Sequence, residues 1–180
     1  KFEHIFIKGL SDDGGLFLPK KIKKLSDKEF LNLRNLSYAD LATEIISRFT
    51  GDFCSSEKLH QIVKKSYSTF NEHNVVKIKK VEDLHVLELF HGPTLAFKDV
   101  AMQLIGNFYE YYLSKNTKKI NIIVATSGDT GAAAIDAVKG KKNINIFVLH
   151  PNNRISPVQR MLMTTNPSKN VFNIGVEGLS

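Results

Sequence analysis

Between residue 37 and about residue 70, apolar side chains return every third or fourth position: Leu41, Ile45 and Phe49, then Leu59, Ile62 and Val63. That is the period of an amphipathic helix. Gly51-Asp52 breaks the run in two, and Ser55-Ser56-Glu57 opens the second half. Ahead of it, residues 1–19 predict a short helix ending at Gly9, a glycine turn, and an extended piece, Leu16-Phe17-Leu18, stopped by Pro19. From about Val75 the pattern changes to short apolar runs alternating with helical stretches. It predicts extended pieces at 76–78 and 85–90, a helix over 97–113, and a strand over 120–125. A helix over 131–138, a strand over 144–149, a helix over 156–165 and a strand over 171–176 follow. In the 97–113 helix, Ala101, Leu104, Ile105, Phe108 and Tyr112 fall on one face. Alternation through short turns implies right-handed crossovers and a mostly parallel sheet. The predicted class is α/β: a small helical lobe over 1–74, then a sheet-bearing region over 75–180. A ligand of such a sheet lies beyond the carboxyl ends of its strands. The turn after residue 125 falls there.

Charge changes this picture little. The net charge is +7, from 25 basic and 18 acidic residues, yet the lysines are scattered in pairs that flank helices and turns. They form no single stripe with interleaved aromatics, so a nucleic-acid partner is not expected. Cys54 is the only cysteine, which rules out an intrachain disulfide and a cysteine metal cluster. No apolar run approaches the ~20 residues of a membrane span, and Lys1-Phe2-Glu3-His4 carries no signal-peptide pattern. The expectation is a soluble, cytoplasmic protein with no membrane partner and no metal.

Two clusters carry candidate chemistry. In His91-Gly92-Pro93-Thr94-Leu95-Ala96-Phe97-Lys98-Asp99, a lysine follows a Gly-Pro turn and opens a helix. The positive field of a helix start disfavours a further cation there. Partial burial would lower the amine's pKa again, and a neutral amine is what Schiff-base chemistry needs. The alternative is a solvated lysine at a helix end. The second cluster, Ala125-Thr126-Ser127-Gly128-Asp129-Thr130-Gly131-Ala132, links a strand to an Ala-rich helix. Backbone N–H groups and the hydroxyls of Thr126, Ser127 and Thr130 would there face an anion. It carries neither a P-loop lysine nor the Gly-x-Gly-x-x-Gly spacing. On the residues alone it is an anion-binding turn or a tight structural one.

Together these clusters resemble the signatures of the threonine synthases, pyridoxal-phosphate (PLP) enzymes of the tryptophan-synthase-like fold. Residues 89–99 are similar to the family's cofactor-lysine motif, and residues 125–132 to its Ala-Thr-Ser-Gly-Asp-Thr-Gly-Ala loop. Residues 9–19 resemble its N-terminal glycine segment. Ile155-Ser156-Pro157-Val158-Gln159-Arg160, followed by Met163-Thr164-Thr165, makes a fourth match in family order. Asp129 sits where other enzymes of this fold usually carry Asn. The resemblance implies a three-layer sheet of the tryptophan synthase beta-like fold and conversion of O-phospho-L-homoserine and water to L-threonine and phosphate. It implies that Lys98 holds PLP and moves protons, with Asp129 beside the cofactor's ring hydroxyl. Thr126, Ser127, Gly128, Thr130 and Gly131 match the loop that grips the substrate carboxylate. Arg160 could meet a phosphate but is preferred as a solvated helix-face arginine, His91 as a residue fixing backbone geometry.

The family is more than twice as long as this chain, and the resemblance implies that the glycine-rich loop for the PLP phosphate lies in a missing C-terminal part. The expectation is therefore a fragment of the fold, incomplete at the C-terminus and completed by a C-terminal half. Two further readings stand beside the synthase: a non-catalytic remnant of a degraded gene, and a threonine-synthase-like phospho-lyase that releases a 2-oxo acid. A basic module for RNA or acidic surfaces rests on the net charge alone.

Overall fold

The computed structural model describes residues 1–152 and 154–177. The chain divides into two compact units, Lys1–Lys64 and Lys65–Ser180.

The first unit is helical. α1 (Phe2–Lys8) ends at Gly9, as its sequence predicts. The Phe2 and Phe6 rings stack at 5.6 Å, and Phe53 meets Phe2 edge-on at 5.3 Å. Residues 16–18 form no strand; Leu16 makes only an isolated bridge to Leu10, and Leu16 and Leu18 are exposed. α2 (Asp27–Leu33) is a helix that the hydrophobic period does not reveal. Its start is a capping box: Ser26 accepts from the Glu29 N–H, and Glu29 accepts from the Ser26 N–H at 2.9 Å. The Ser26 N–H, its hydroxyl and then Lys23 hold the Glu29 carboxyl down at about 2. α3 (Tyr38–Thr50) starts on a Ser37 cap and stops at Gly51. α4 (Ser56–Tyr67) follows, with Leu59, Ile62 and Val63 buried on one face.

The second unit opens with a hairpin. β1 (Lys77–Val81) and β2 (Leu84–Glu88) pair antiparallel and form a two-stranded sheet of their own. The extended pieces expected at 76–78 and 85–90 are therefore not part of the parallel sheet. That sheet has the order β3-β4-β5, from β3 (Ile120–Ala125), β4 (Ile144–Pro151) and β5 (Val171–Val176), all parallel. α5 (Asp99–Ser114) precedes β3. α6 (Asp129–Val138) crosses from β3 to β4, and α7 (Pro157–Thr164) from β4 to β5. α6 begins two residues earlier than the sequence predicts, which brings Asp129 into its first turn.

The core lies under α6, where Ala132, Ala133, Ile135, Ala137 and Val138 are buried with Ile144, Ile146 and Val148 of β4. Small residues let α5 approach α6 closely. A Cβ on Gly106 would lie 2.3 Å from the Ala137 carbonyl oxygen, so only glycine fits this crossing. The face of α5 that is buried differs from the predicted one. Ala101 is exposed and Leu104 and Ile105 half-buried, whereas Asp99, Gln103, Gly106 and Asn107 join Phe108, Tyr112 and Leu113 inside. The buried amide side chains of α5 are paired: Gln103 donates to Asp136 at 2.8 Å, and Asn107 to the Ser66 hydroxyl at 2.9 Å.

Candidate active site

Lys98 occupies the N-cap of α5 and is half-buried; its Nζ lies 4.4 Å from the centre of the Phe97 ring. The turn that presents it is held from below by Asp99. That carboxylate is fully buried, and it accepts from the Thr94 N–H at 2.8 Å and the Thr94 hydroxyl at 2.7 Å. Between the two, Leu95 sits at φ 60, in the left-handed region that side chains avoid, and the residue is 64 % exposed. A strained residue persists only where its surroundings over-determine it, and the Asp99–Thr94 clamp does so here. His91 donates from Nε2 to the Glu88 carboxylate at 3.0 Å, and its carbonyl accepts from the Asn71 N–H. It ties the end of β2 to the turn.

The β3–α6 turn is built around Thr126. Its hydroxyl oxygen accepts from the Gly128 and Gly131 N–H groups, each at 3.0 Å. Thr126 therefore shapes the loop and satisfies two of the donors at the start of α6. Ser127 and Asp129 are exposed, Thr130 is half-buried, and Gly128 and Gly131 are buried. Gly128 has φ 148, and a Cβ there would meet the Gln159 side chain at 2.5 Å. Gln159 in turn donates from Nε2 to Asp129 at 2.6 Å, while its N–H donates to the Ser156 cap of α7. So α7 fixes the carboxylate that opens α6. Arg160, one residue on, is exposed.

Placement of the two clusters follows from how α5 and α6 pack. Gln103 meets Asp136 and Gly106 meets Ala137, so positions rise together along both helices. Lys98 and Asp129 each precede the Gly106–Ala137 crossing by eight residues, about 12 Å of helix. Both clusters therefore stand at the same end of the helix pair, the end at which β3 delivers its carboxyl terminus. Among the described residues no hydrogen bond or ion pair joins Lys98 to the loop.

A cleft of about 510 Å³ opens at the carboxyl ends of β3, β4 and β5. Thr126, Ser127, His150 and Arg154 are among the residues lining it. His150 is 7 % exposed, and its buried Nδ1 has no hydrogen-bond partner among the described residues. Leaving such a group unpaired costs about 1–3 kcal/mol. Sequence reading assigns no role to Asp99 or His150. Asp99 stands in the motif but its partner is set by the turn, and the signal for His150 was a lone polar residue closing the alternating face Ile144, Ile146, Val148.

A parallel sheet with two candidate loops at its carboxyl-terminal end defines a ligand-binding α/β protein. Residues 1–67 match the family model "Threonine synthase N terminus". The threonine synthase of Eremothecium gossypii is 42% identical over 192 residues, covering 98% of this chain and 38% of that protein. A crystal structure described as PLP-bound threonine synthase from Brucella melitensis superposes with a TM-score of 0.92 at 41% identity, covering 98% of this chain and 38% of that one. "Threonine synthase-like 2" of Pongo abelii is 38% identical, with 99% of this chain and 37% of that protein covered. The chain matches the N-terminal portion of the threonine synthases over nearly its whole length and has the α/β fold of that portion. It spans about 38% of the length of these relatives.

Proposed function

We propose that this chain is the lysine-bearing portion of a PLP enzyme that converts O-phospho-L-homoserine and water to L-threonine and phosphate. The observation that carries the reading is Lys98 itself: a half-buried amine at a helix start, presented by a strained turn that a buried carboxylate clamps. An amine held in this way fits a cofactor that bears an aldehyde. The Brucella relative is described as PLP-bound, which supports the same cofactor here.

When bound, PLP supplies an electron sink for carbanionic chemistry at the substrate. The chain's own residues do the rest. Lys98 Nζ would hold the cofactor and, as a free amine, could carry protons between substrate carbons. The N–H groups at the start of α6 other than those of Gly128 and Gly131, which donate to Thr126, and the hydroxyls of Ser127 and Thr130 bind the substrate carboxylate. Thr126, by accepting from Gly128 and Gly131, keeps that loop open in one shape. Asp129 is oriented by Gln159 and would stand beside the cofactor's ring hydroxyl. The domain boundary proposed from sequence, near residue 74, separates a helical lobe from the part that carries these groups. The remaining length of the family's proteins, supplied by further chain or by a partner, completes the cofactor's phosphate site. The reading places this chemistry in the cytoplasm and needs neither nucleic acid nor membrane; no helix among the described residues is long and apolar enough to cross one.

A second reading has a specific observation behind it. The similarity to threonine synthase-like 2 proteins fits a phospho-lyase that uses the same residues and releases phosphate with a 2-oxo acid. Adding the polypeptide that covers the rest of the family's length, with PLP and O-phospho-L-homoserine, tests both. Phosphate release matched by L-threonine supports the synthase; release matched by a 2-oxo acid supports the lyase. No release at saturating partner, from folded proteins, leaves only the non-catalytic remnant.

A further inference from the structure

The end of the sheet opposite the candidate site carries the net charge of the chain. The connections into β3, β4 and β5, residues 115–119, 139–143 and 165–170, hold seven of the 25 basic residues and none of the 18 acidic ones. Outside them 18 basic residues balance 18 acidic, so the whole excess of +7 lies in three loops. In a parallel sheet these loops share one end, spaced about 4.8 Å from strand to strand. Lysines scattered along the sequence are gathered by the topology. We propose that this end is a docking surface for an acidic segment of another polypeptide. The inference does not rest on the cofactor reading, whose residues stand at the other end of the strands.

The three connections are tied together. Asn170 joins the third to the second: its Oδ1 accepts from the Gly140 N–H, and its Nδ2 donates to the carbonyls of Val138 and Ile144, each at 2.9 Å. The Ile120 N–H, just after the first, donates to the Asn143 carbonyl at 2.9 Å. Gly140 and Asn143 stand at φ 70 and 64, so the two lysines between them belong to a defined turn. A cleft of about 570 Å³ beside it is lined by Lys139, Lys141 and Lys142, and by Glu110, which Lys65 and Lys141 already share. Lys139 is paired with Asp136, and Lys115 lies over the Tyr111 ring at 4.0 Å. Lys118, Lys119, Lys142 and Lys169 are exposed, and among the described residues none of them forms an ion pair. Complementing a helix dipole is a rival account, but that effect is confined to the last turn. These four lysines follow the ends of α5, α6 and α7 by four or five residues. The residue types point to the partner. The connections contain no arginine to grip a phosphate with two parallel bonds and no aromatic ring to stack on a base. Lysines are point charges that suit carboxylates, and Lys139 and Lys141 already hold two of them.

Fluorescence anisotropy tests the surface. A dye-labelled octaglutamate peptide is titrated with the 180-residue chain at low ionic strength, where exposed charges are least screened. The fourfold variant Lys118→Gln, Lys119→Gln, Lys142→Gln, Lys169→Gln is compared with a second, Lys20→Gln, Lys21→Gln, Lys24→Gln, Lys28→Gln. The second removes the same charge from exposed lysines of the helical unit. The expected result is saturable binding that weakens about tenfold in the first variant and less than about twofold in the second. Equal weakening in both means that net charge alone attracts the peptide, and overturns the proposal. Binding that does not saturate overturns it too and leaves the lysines as partners of the helix ends. An oligouridylate of equal charge serves as competitor. Displacement of the peptide at about a tenth of the peptide's own half-saturating concentration would assign the surface to nucleic acid, and overturn the polypeptide assignment. Should the fourfold variant fail to fold, Lys142→Gln and Lys169→Gln taken singly carry the test, each weakening binding about twofold.

Discussion

Asp99 is the residue on which the presentation of Lys98 depends. A buried carboxylate that loses its partners, or a buried N–H that loses its acceptor, costs more than the bond itself contributes. Replacing Asp99 by Ala strips the Thr94 N–H and hydroxyl of their acceptor and frees the strained backbone at Leu95. We expect Asp99→Ala to lower unfolding stability by about 2–3 kcal/mol in a denaturant titration. Asp99→Asn, which keeps one acceptor, should lose less. A variant as stable as the parent would show that Asp99 does not hold the turn. Lys98 and the 126–131 loop were legible in the sequence because each is a contiguous motif beside a helix start. Asp99–Thr94 is nearly as local, yet its role depends on a burial that spacing does not express. The Gln159–Asp129 contact spans thirty residues and is fixed only when α7 packs against the start of α6.

Among the elements, the α5–α6 crossing sets the relative height of the two candidate loops, and Gly106 sets the crossing. Gly106→Ala adds a methyl 2.3 Å from the Ala137 carbonyl, against backbone that cannot give way. We expect a loss of about 1–3 kcal/mol from overpacking, although alanine favours a helix over glycine by about 1 kcal/mol. Thermal unfolding checks it: a higher melting temperature in the variant would contradict the crossing. The strands β3, β4 and β5 were readable because each is a short apolar-rich run set between helical stretches, although only β4 has a buried face. The hairpin β1–β2 was foreseen only as two extended pieces, at 76–78 and 85–90, since two short exposed strands carry no signal for which sheet they join. α2 was missed by hydrophobic period, yet Ser26 and Glu29 three residues on spell a capping box. The buried face of α5 was misplaced because it packs through Gly106 and paired polar groups, which an apolar stripe does not register.

At the scale of the whole second unit, Glu110 of α5 gathers two lysines from distant points of the chain. Lys65 and Lys141 each donate to it at 2.7 Å, and Lys141 also reaches Asn107. Burial pushes the Glu110 carboxyl up, but the hydrogen bonds from Lys141 and Lys65 outweigh it and hold the group below its usual range. A carboxylate lowered in the folded state stabilises above its unfolded pKa, about 4.3. That stability is lost as pH falls through the lowered value. Glu110→Gln should therefore cost roughly 0.5–1 kcal/mol at pH 7, allowing for solvent screening. The difference from the parent should shrink as pH falls below about 4.3 and vanish only once the pH lies below the lowered folded-state value. An unchanged gap at low pH would mean that the cluster is not electrostatic. The sheet of this unit also leaves Ile123, Phe172 and Ile174 exposed, with Phe172 stacked on Phe147 at 4.8 Å. An apolar face of this kind is where the remainder of a longer family member would pack.

The central claim is that Lys98 is a cofactor lysine, and cofactor uptake tests it most directly. The chain is incubated with PLP, its visible absorbance recorded, and the product reduced with borohydride and mapped by peptide mass. The account predicts one adduct per chain, at Lys98, absent from Lys98→Ala and diminished in Asp99→Ala. Adducts scattered over surface lysines, or none at Lys98 in a chain shown to be folded, would contradict it.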